Sequence, residues 1–165
     1  MLNRMEALNK KGSNLEKLNE SIKLYDKASQ LNQSKEFNNK GFNLYRIEKY
    51  DESIKFYDKA IEINSQFSEA YNNKGLSLHS IERYEEAIIC FDKAIELKPN
   101  FTEAYYNKGL SLYKLGKYNE SIYFNDKAIE LDPNFTEAYD NNNIYSIVPV
   151  STQSMHSTII NNKIL

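Results

Sequence analysis

Apolar residues in this chain follow a helical rhythm inside a longer one. Between 84 and 97, Ala87, Ile88, Phe91, Ala94, Ile95 and Leu97 keep the i, i+3, i+4, i+7 spacing that gathers them on one face of a helix. Ala70, Tyr71, Leu78 and Ile81 mark another amphipathic segment just before it. Polar residues punctuate the pattern. Ser68, Thr102 and Thr136, each followed by a glutamate, are expected to cap the first segment of a pair. Pro99 and Pro133 follow the second segment and stop it. Between the two segments Glu82-Arg83-Tyr84, or Gly116-Lys117-Tyr118, leaves room only for a short turn, so the paired helices must pack antiparallel.

The longer rhythm is 34 residues: Gly41, Gly75 and Gly109 are each one step apart. The same step joins Phe37, Tyr71, Tyr105 and Tyr139, then Tyr50, Tyr84 and Tyr118, then Ala60, Ala94 and Ala128. Three full units therefore occupy 34–67, 68–101 and 102–135. An earlier unit, 1–33, aligns through Ser21, Tyr25, Asp26, Lys27 and Ala28, but at an offset of 32, so the connection that follows it is two residues shorter. Gly75, Ala87 and Ala94 are small enough to mark the closest approach of two helices, and Tyr71, Tyr105, Tyr84 and Tyr118 are expected to fill the groove between units.

These positions resemble the tetratricopeptide-repeat family. They are an aromatic, Asn and Gly at Tyr71, Asn73 and Gly75, then Tyr84 and Ala87, then Phe91-Asp92-Lys93-Ala94-Ile95-Glu96-Leu97 ahead of Pro99-Asn100. The match is close over 34–135 and loose over 2–33. The resemblance implies an all-α fold, a right-handed α-solenoid of stacked antiparallel helix hairpins with a superhelical groove lined by each unit's first helix. Departures qualify it. The first unit is degenerate, with Asn9 in the glycine position and Leu18 in the tyrosine position, so its helices are expected to cross at a wider angle. Asn125 replaces Tyr57 and Phe91 at a position expected to pack towards the next unit, which weakens the C-terminal end. Residues 136–147 start a fifth unit but carry Asn143 where the glycine belongs, which suits a lone capping helix or a truncated repeat. The aperiodic polar stretch 148–165 is expected to be disordered.

Composition removes several classes of function. The 165 residues carry a formal charge of −2 with acidic and basic residues interleaved, unlike the basic face of a nucleic-acid binder. The apolar runs are far short of the roughly 20 residues of a membrane span, and the N-terminus lacks a secretory apolar core, so a cytoplasmic protein is expected. Cys90 is the only cysteine and reads as a packing residue. His79 and His156 stand apart, with no metal-ligand spacing, phosphate loop or nucleophile motif. No enzyme and no cofactor is expected.

The candidate site is a ladder. Asn39, Asn73, Asn107 and Asn141 share one repeat position, and in the family asparagine there lines the concave face and grips a peptide backbone. An amide carries a donor and an acceptor, as a peptide unit does. First helices about 8–10 Å apart would meet an extended peptide at roughly every third residue. The same asparagines could instead bond between units. Phe42, Leu76 and Leu110, then Tyr45, His79 and Tyr113, then Arg46 and Lys114, follow on the same helices and would give an apolar strip, an aromatic rim and positive charge. The lysine–asparagine clamp of chaperone-tail binders in the family is missing, because its positions hold Asn38 and Phe42, Asn72 and Leu76, Tyr106 and Leu110. A protein or peptide partner is expected, without nucleic acid or membrane. The alternative is a self-associating repeat module joined through its C-terminal end.

Overall fold

The computed structural model describes residues 2–138. The chain forms α1 (Leu2–Arg46), α2 (Tyr50–Ile63), α3 (Ser68–Ser80), α4 (Tyr84–Leu97), α5 (Thr102–Lys114) and α6 (Tyr118–Leu131), and residues 136–138 are again helical. The C-terminal part of α1 pairs with α2, α3 with α4 and α5 with α6. These hairpins stack in order, α2 against α3 and α4 against α5, while α3 also touches α1 and α5 along the row of first helices. None of the described helices is long and apolar enough to cross a membrane.

Each hairpin is held by a glycine facing a large buried side chain. A Cβ on Gly41 would sit 2.7 Å from the Tyr57 ring, and one on Gly75 would sit 2.5 Å from that of Phe91. The glycine therefore admits an aromatic ring of the opposite helix. Ala87 and Ala94 are fully buried nearby but are not what the glycine makes room for. Gly109 faces Asn125 in the same way. Asn125 is thus fully buried inside its own hairpin.

The tyrosines divide differently from the sequence expectation. Tyr71 packs beside Ala94, Phe101 and Ala104, so it does bridge two units. Tyr84 and Tyr118 instead close their own turns, edge-on to His79 at 5.2 Å and against Tyr113 at 5.3 Å.

The helix starts correct another expectation. Ser68 and Thr102 are the first helical residues, and the cap positions belong to Phe67 and Phe101, with no side-chain cap bond. Burial of Phe101 in the apolar cluster fixes the entry of α5, so the polar cap has no role to play. The first-turn glutamates Glu69 and Glu103 stand where the helix dipole favours them.

The turns inside the hairpins hold Glu48 at φ 60°, Glu82 at φ 63° and Gly116 at φ 73°. Left-handed backbone costs a residue with a Cβ about 1–2 kcal/mol, partly offset by the lower unfolded-state entropy of a non-glycine. Glu48→Gly and Glu82→Gly should each stabilise the protein by about 0.5–1 kcal/mol, read as a higher Tm in thermal unfolding.

The largest departure is at the N-terminus. Two helices are expected in 1–33, yet α1 runs unbroken from Leu2 through Arg46. Elsewhere four residues separate a second helix from the next first helix, 64–67 and 98–101, and each set includes a phenylalanine that turns inward. At the matching place only Asn32 and Gln33 remain. The two that remain include no proline, no glycine and no inward-turning phenylalanine, so nothing there stops the helix and it continues. The residues of the fifth start beyond Ala138, including Asn143, and the stretch 148–165 lie outside the described residues.

Candidate functional site

The first helices present one face of each unit side by side, and the hydrogen bonds between them show how that face is built. The Asn73 amide donates Nδ2–H to Oδ1 of Asn38 at 3.1 Å, and Asn107 donates to Asn72 at 3.0 Å. Each bond joins an asparagine of the ladder to the residue just before the previous rung. Asn107 is only 8 % exposed, Asn73 is half-buried and Asn39, which has no preceding partner unit, is exposed. The ladder is thus first a set of struts between units. A primary amide still has a carbonyl and a second N–H after one such bond, so the rungs are held in fixed orientation with capacity remaining. Asn141 lies outside the described residues.

Asn38 and Asn72 stand out in the sequence only as occupants of the absent clamp's positions, not as partners of the ladder. The signal was there: they repeat at 34 residues, one place ahead of the ladder. The third copy of that position is Tyr106, whose ring meets Phe135 edge-on at 5.2 Å.

Beside the ladder, Phe42 is exposed while Leu76 and Leu110 are half-buried. Leu76 packs on the cluster of Ile54, Leu78, Ala87, Cys90 and Phe91, so only part of it reaches the face. Tyr45, His79 and Tyr113 are half-buried because each ring leans on the tyrosine that begins the next helix, Tyr50, Tyr84 or Tyr118. Arg46 and Lys114 end their helices exposed. The structure therefore brings Phe42, Tyr45 and Arg46 together on α1, and Leu110, Tyr113 and Lys114 on α5, with His79 between.

His79 Nδ1 lies 2.8 Å from the Ser111 hydroxyl of the following unit. Burial, with the positive charge of Lys114, holds its imidazole below the ordinary value of 6.5. A depressed histidine binds fewer protons folded than unfolded, so its contribution to stability is full above pH 6.5 and is lost as pH falls through the folded value. A Tm measured from pH 7.5 to pH 5 should decline, and His79→Gln should flatten that decline. A profile unchanged by the substitution would place the pH dependence elsewhere. Burial pushes the Cys90 thiol up to about 11, as befits a side chain used for packing.

Among the described residues no group of histidine, cysteine or carboxylate side chains is placed to hold a metal ion. What the face offers is amides, half-buried apolar side chains and rings, and end charges.

Family models for the tetratricopeptide repeat match residues 37–67, 56–89 and 102–135, and a TPR-repeat model matches 75–116, together spanning 37–135. The chain is a tetratricopeptide-repeat protein. Solved TPR domains share its fold. The Arabidopsis OM64 TPR domain superposes with a TM-score of 0.68 at 21 % identity, covering 69 % of this chain and 94 % of that one. The first TPR of Spaghetti (RPAP3), bound to the HSP90 peptide SRMEEVD, gives 0.68 at 23 % identity, covering 70 % and 91 %. MamA gives 0.63 at 26 % identity, covering 66 % and 63 %. No curated protein sequence matches this TPR chain significantly.

Proposed function

We propose that this TPR protein is a non-catalytic scaffold that holds an extended segment of a partner protein along the row of first helices. The observation that carries the reading is the strutted asparagine row beside Phe42, Leu76 and Leu110. Asn73 and Asn107 are oriented by bonds to Asn38 and Asn72, and apolar surface with Arg46 and Lys114 flanks them. A backbone grip of this kind is indifferent to sequence, and selectivity comes from the flanking groups: apolar side chains for the strip and acidic ones for the ends.

The structural neighbour RPAP3 holds the HSP90 peptide SRMEEVD, and its second TPR domain the HSP70 peptide SGPTIEEVD. Here the places of a lysine–asparagine clamp hold Asn38 and Phe42, Asn72 and Leu76, Tyr106 and Leu110. Without that lysine the terminal carboxylates lose their charged hydrogen bonds, so peptides ending in EEVD should show no specific binding by calorimetry. Extended peptides with apolar and acidic residues, selected from a library, should bind. Phe42→Ala and the pair Arg46→Glu with Lys114→Glu lie on exposed positions that leave the stack intact, and each should weaken a selected peptide about tenfold or more. A library that yields no binder, or binders indifferent to all three changes, sinks the proposal.

A further inference from the structure

The two-residue shortening after Gln33 leaves a pair of matching surfaces that one chain cannot bring together. In the intact stack, second helices meet the next first helices through a recurring lysine–aspartate pair and, between α2 and α3, through two further contacts. Asp58 receives an ion pair from Lys74 at 2.6 Å, and Asp92 receives one from Lys108. The Ser53 and Ser77 hydroxyls share a hydrogen bond of 2.7 Å. Ile54 packs with Leu78. One repeat earlier the same positions are Asp26 and Lys40, Ser21 and Asn43, and Ile22 and Leu44. All six lie on α1, so none of the three pairs forms within the chain.

Both halves are uncovered as a result. Ile22 is 50 % exposed where Ile54 is 9 % exposed. Lys40 is exposed where the Lys74 and Lys108 side chains are 26 % and 12 % exposed. Leu44 is half-buried where Leu78 and Leu112 are buried. The deletion has a second effect, on phase. At 3.6 residues per turn, Ile22, Asp26, Ser29, Gln33, Phe37, Lys40 and Leu44 fall within an arc of roughly 80° on one straight helix. The apolar and charged parts of the two half-interfaces therefore form a single stripe, with Ser21 and Asn43 on its flank, and that stripe is self-complementary when reversed. Asp26 and Lys40 lie equally far on either side of Gln33, and Ser21 and Asn43 are centred on Asn32.

We propose that α1 is a homodimer interface: two copies pack their α1 helices antiparallel about a two-fold axis near Gln33. Residues 18–31 of each copy then dock on 37–44 of the other as the missing neighbour unit. The Asp26–Lys40 and Ile22–Leu44 pairs each form twice, as an isologous contact requires. A shortened hinge that forbids folding back within the chain is the standard route to such an exchange. The partner is a second copy because the stripe carries, at Asp26 with Lys40 and Ile22 with Leu44, the same residue pairs that this chain already joins within itself as Asp58 with Lys74 and Ile54 with Leu78. This association lies at the opposite end from the C-terminal one considered from the sequence, and does not depend on the peptide-holding role.

The test is the solution mass of the full chain by light scattering across a wide concentration range. Twice the 19.3 kDa chain mass is expected, and a monomer throughout overturns the proposal. Asp26 and Lys40 are exposed, so reversing them does not threaten the fold. Asp26→Lys alone and Lys40→Asp alone should each raise the dimer dissociation constant at least roughly tenfold. Mixed together, the two variants should form a heterodimer in preference to either homodimer, because both crossed pairs are then of opposite sign. A dimer without that preference has formed elsewhere and also overturns the proposal. Replacing Asn32-Gln33 by the four residues Asn64 to Phe67 restores a connection long enough to fold back, and should give a monomer. A persistent dimer there refutes the role given to the short hinge.

Discussion

Phe91→Ala is expected to lower stability by about 3–5 kcal/mol, seen as a fall of about 10 °C in Tm. The ring is fully buried in the middle hairpin, against Gly75 and among Ile54, Leu78, Ala87 and Cys90. Leu78 and Cys90 are its neighbours from both helices of the unit, and Ile54 comes from the unit before. Its loss therefore loosens a hairpin and an interface at once. Repeat arrays behave as a chain of nearest-neighbour couplings, so the transition should broaden as well as shift. Phe91→Leu, which keeps most of the volume, should lose much less. Equal losses for the two substitutions would show that the site collapses around whatever occupies it.

Gly75→Val should cost about 3 kcal/mol by the opposite route. The first added carbon would lie 2.5 Å from the Phe91 ring, well inside contact distance, and the ring has no free space to enter. Better helix propensity offsets only part of this, up to about 1 kcal/mol. Because one contact is responsible, Gly75→Val and Phe91→Ala should couple. The double variant is expected to lose less than the sum of the two, by about 1 kcal/mol or more in denaturant unfolding. Strict additivity would mean that the glycine serves something other than the ring. Gly12 provides the control, since a Cβ there meets nothing within 4 Å.

Much of this was legible in the sequence. The 34-residue step gave the three hairpins because Gly41, Gly75 and Gly109 recur with their partners Tyr57, Phe91 and Asn125. The all-α solenoid needs little more than that step and the helical apolar spacing. Three features stayed hidden, each for a physical reason. The start of α5 is set by burying Phe101, a tertiary effect that overrides the hydroxyl of Thr102. The asparagine struts join positions 35 residues apart, so aligning equal positions does not reveal them. The unbroken α1 follows from a missing pair of residues, and similarity between Ser21–Ala28 and Ser53–Ala60 masks that change. At the candidate face the residue types were legible, but their exposure was not. Asn107 is nearly closed off where Asn39 is open, because only the stack decides which rungs have a unit in front of them.

The recurring lysine–aspartate pair carries a further consequence for how the units find their order. Lys74 meets Asp58 and Lys108 meets Asp92 at equivalent positions of their repeats, so the aspartate on α2 would accept the lysine of α5 as well as that of α3. Ser111 stands where Ser77 does and Leu112 where Leu78 does. The faces therefore carry no address. Adjacency is written in the four-residue connections, which are too short to let a second helix skip its neighbour. Lengthening 64–67 would leave every contact residue in place and still remove the instruction that puts the hairpins in sequence.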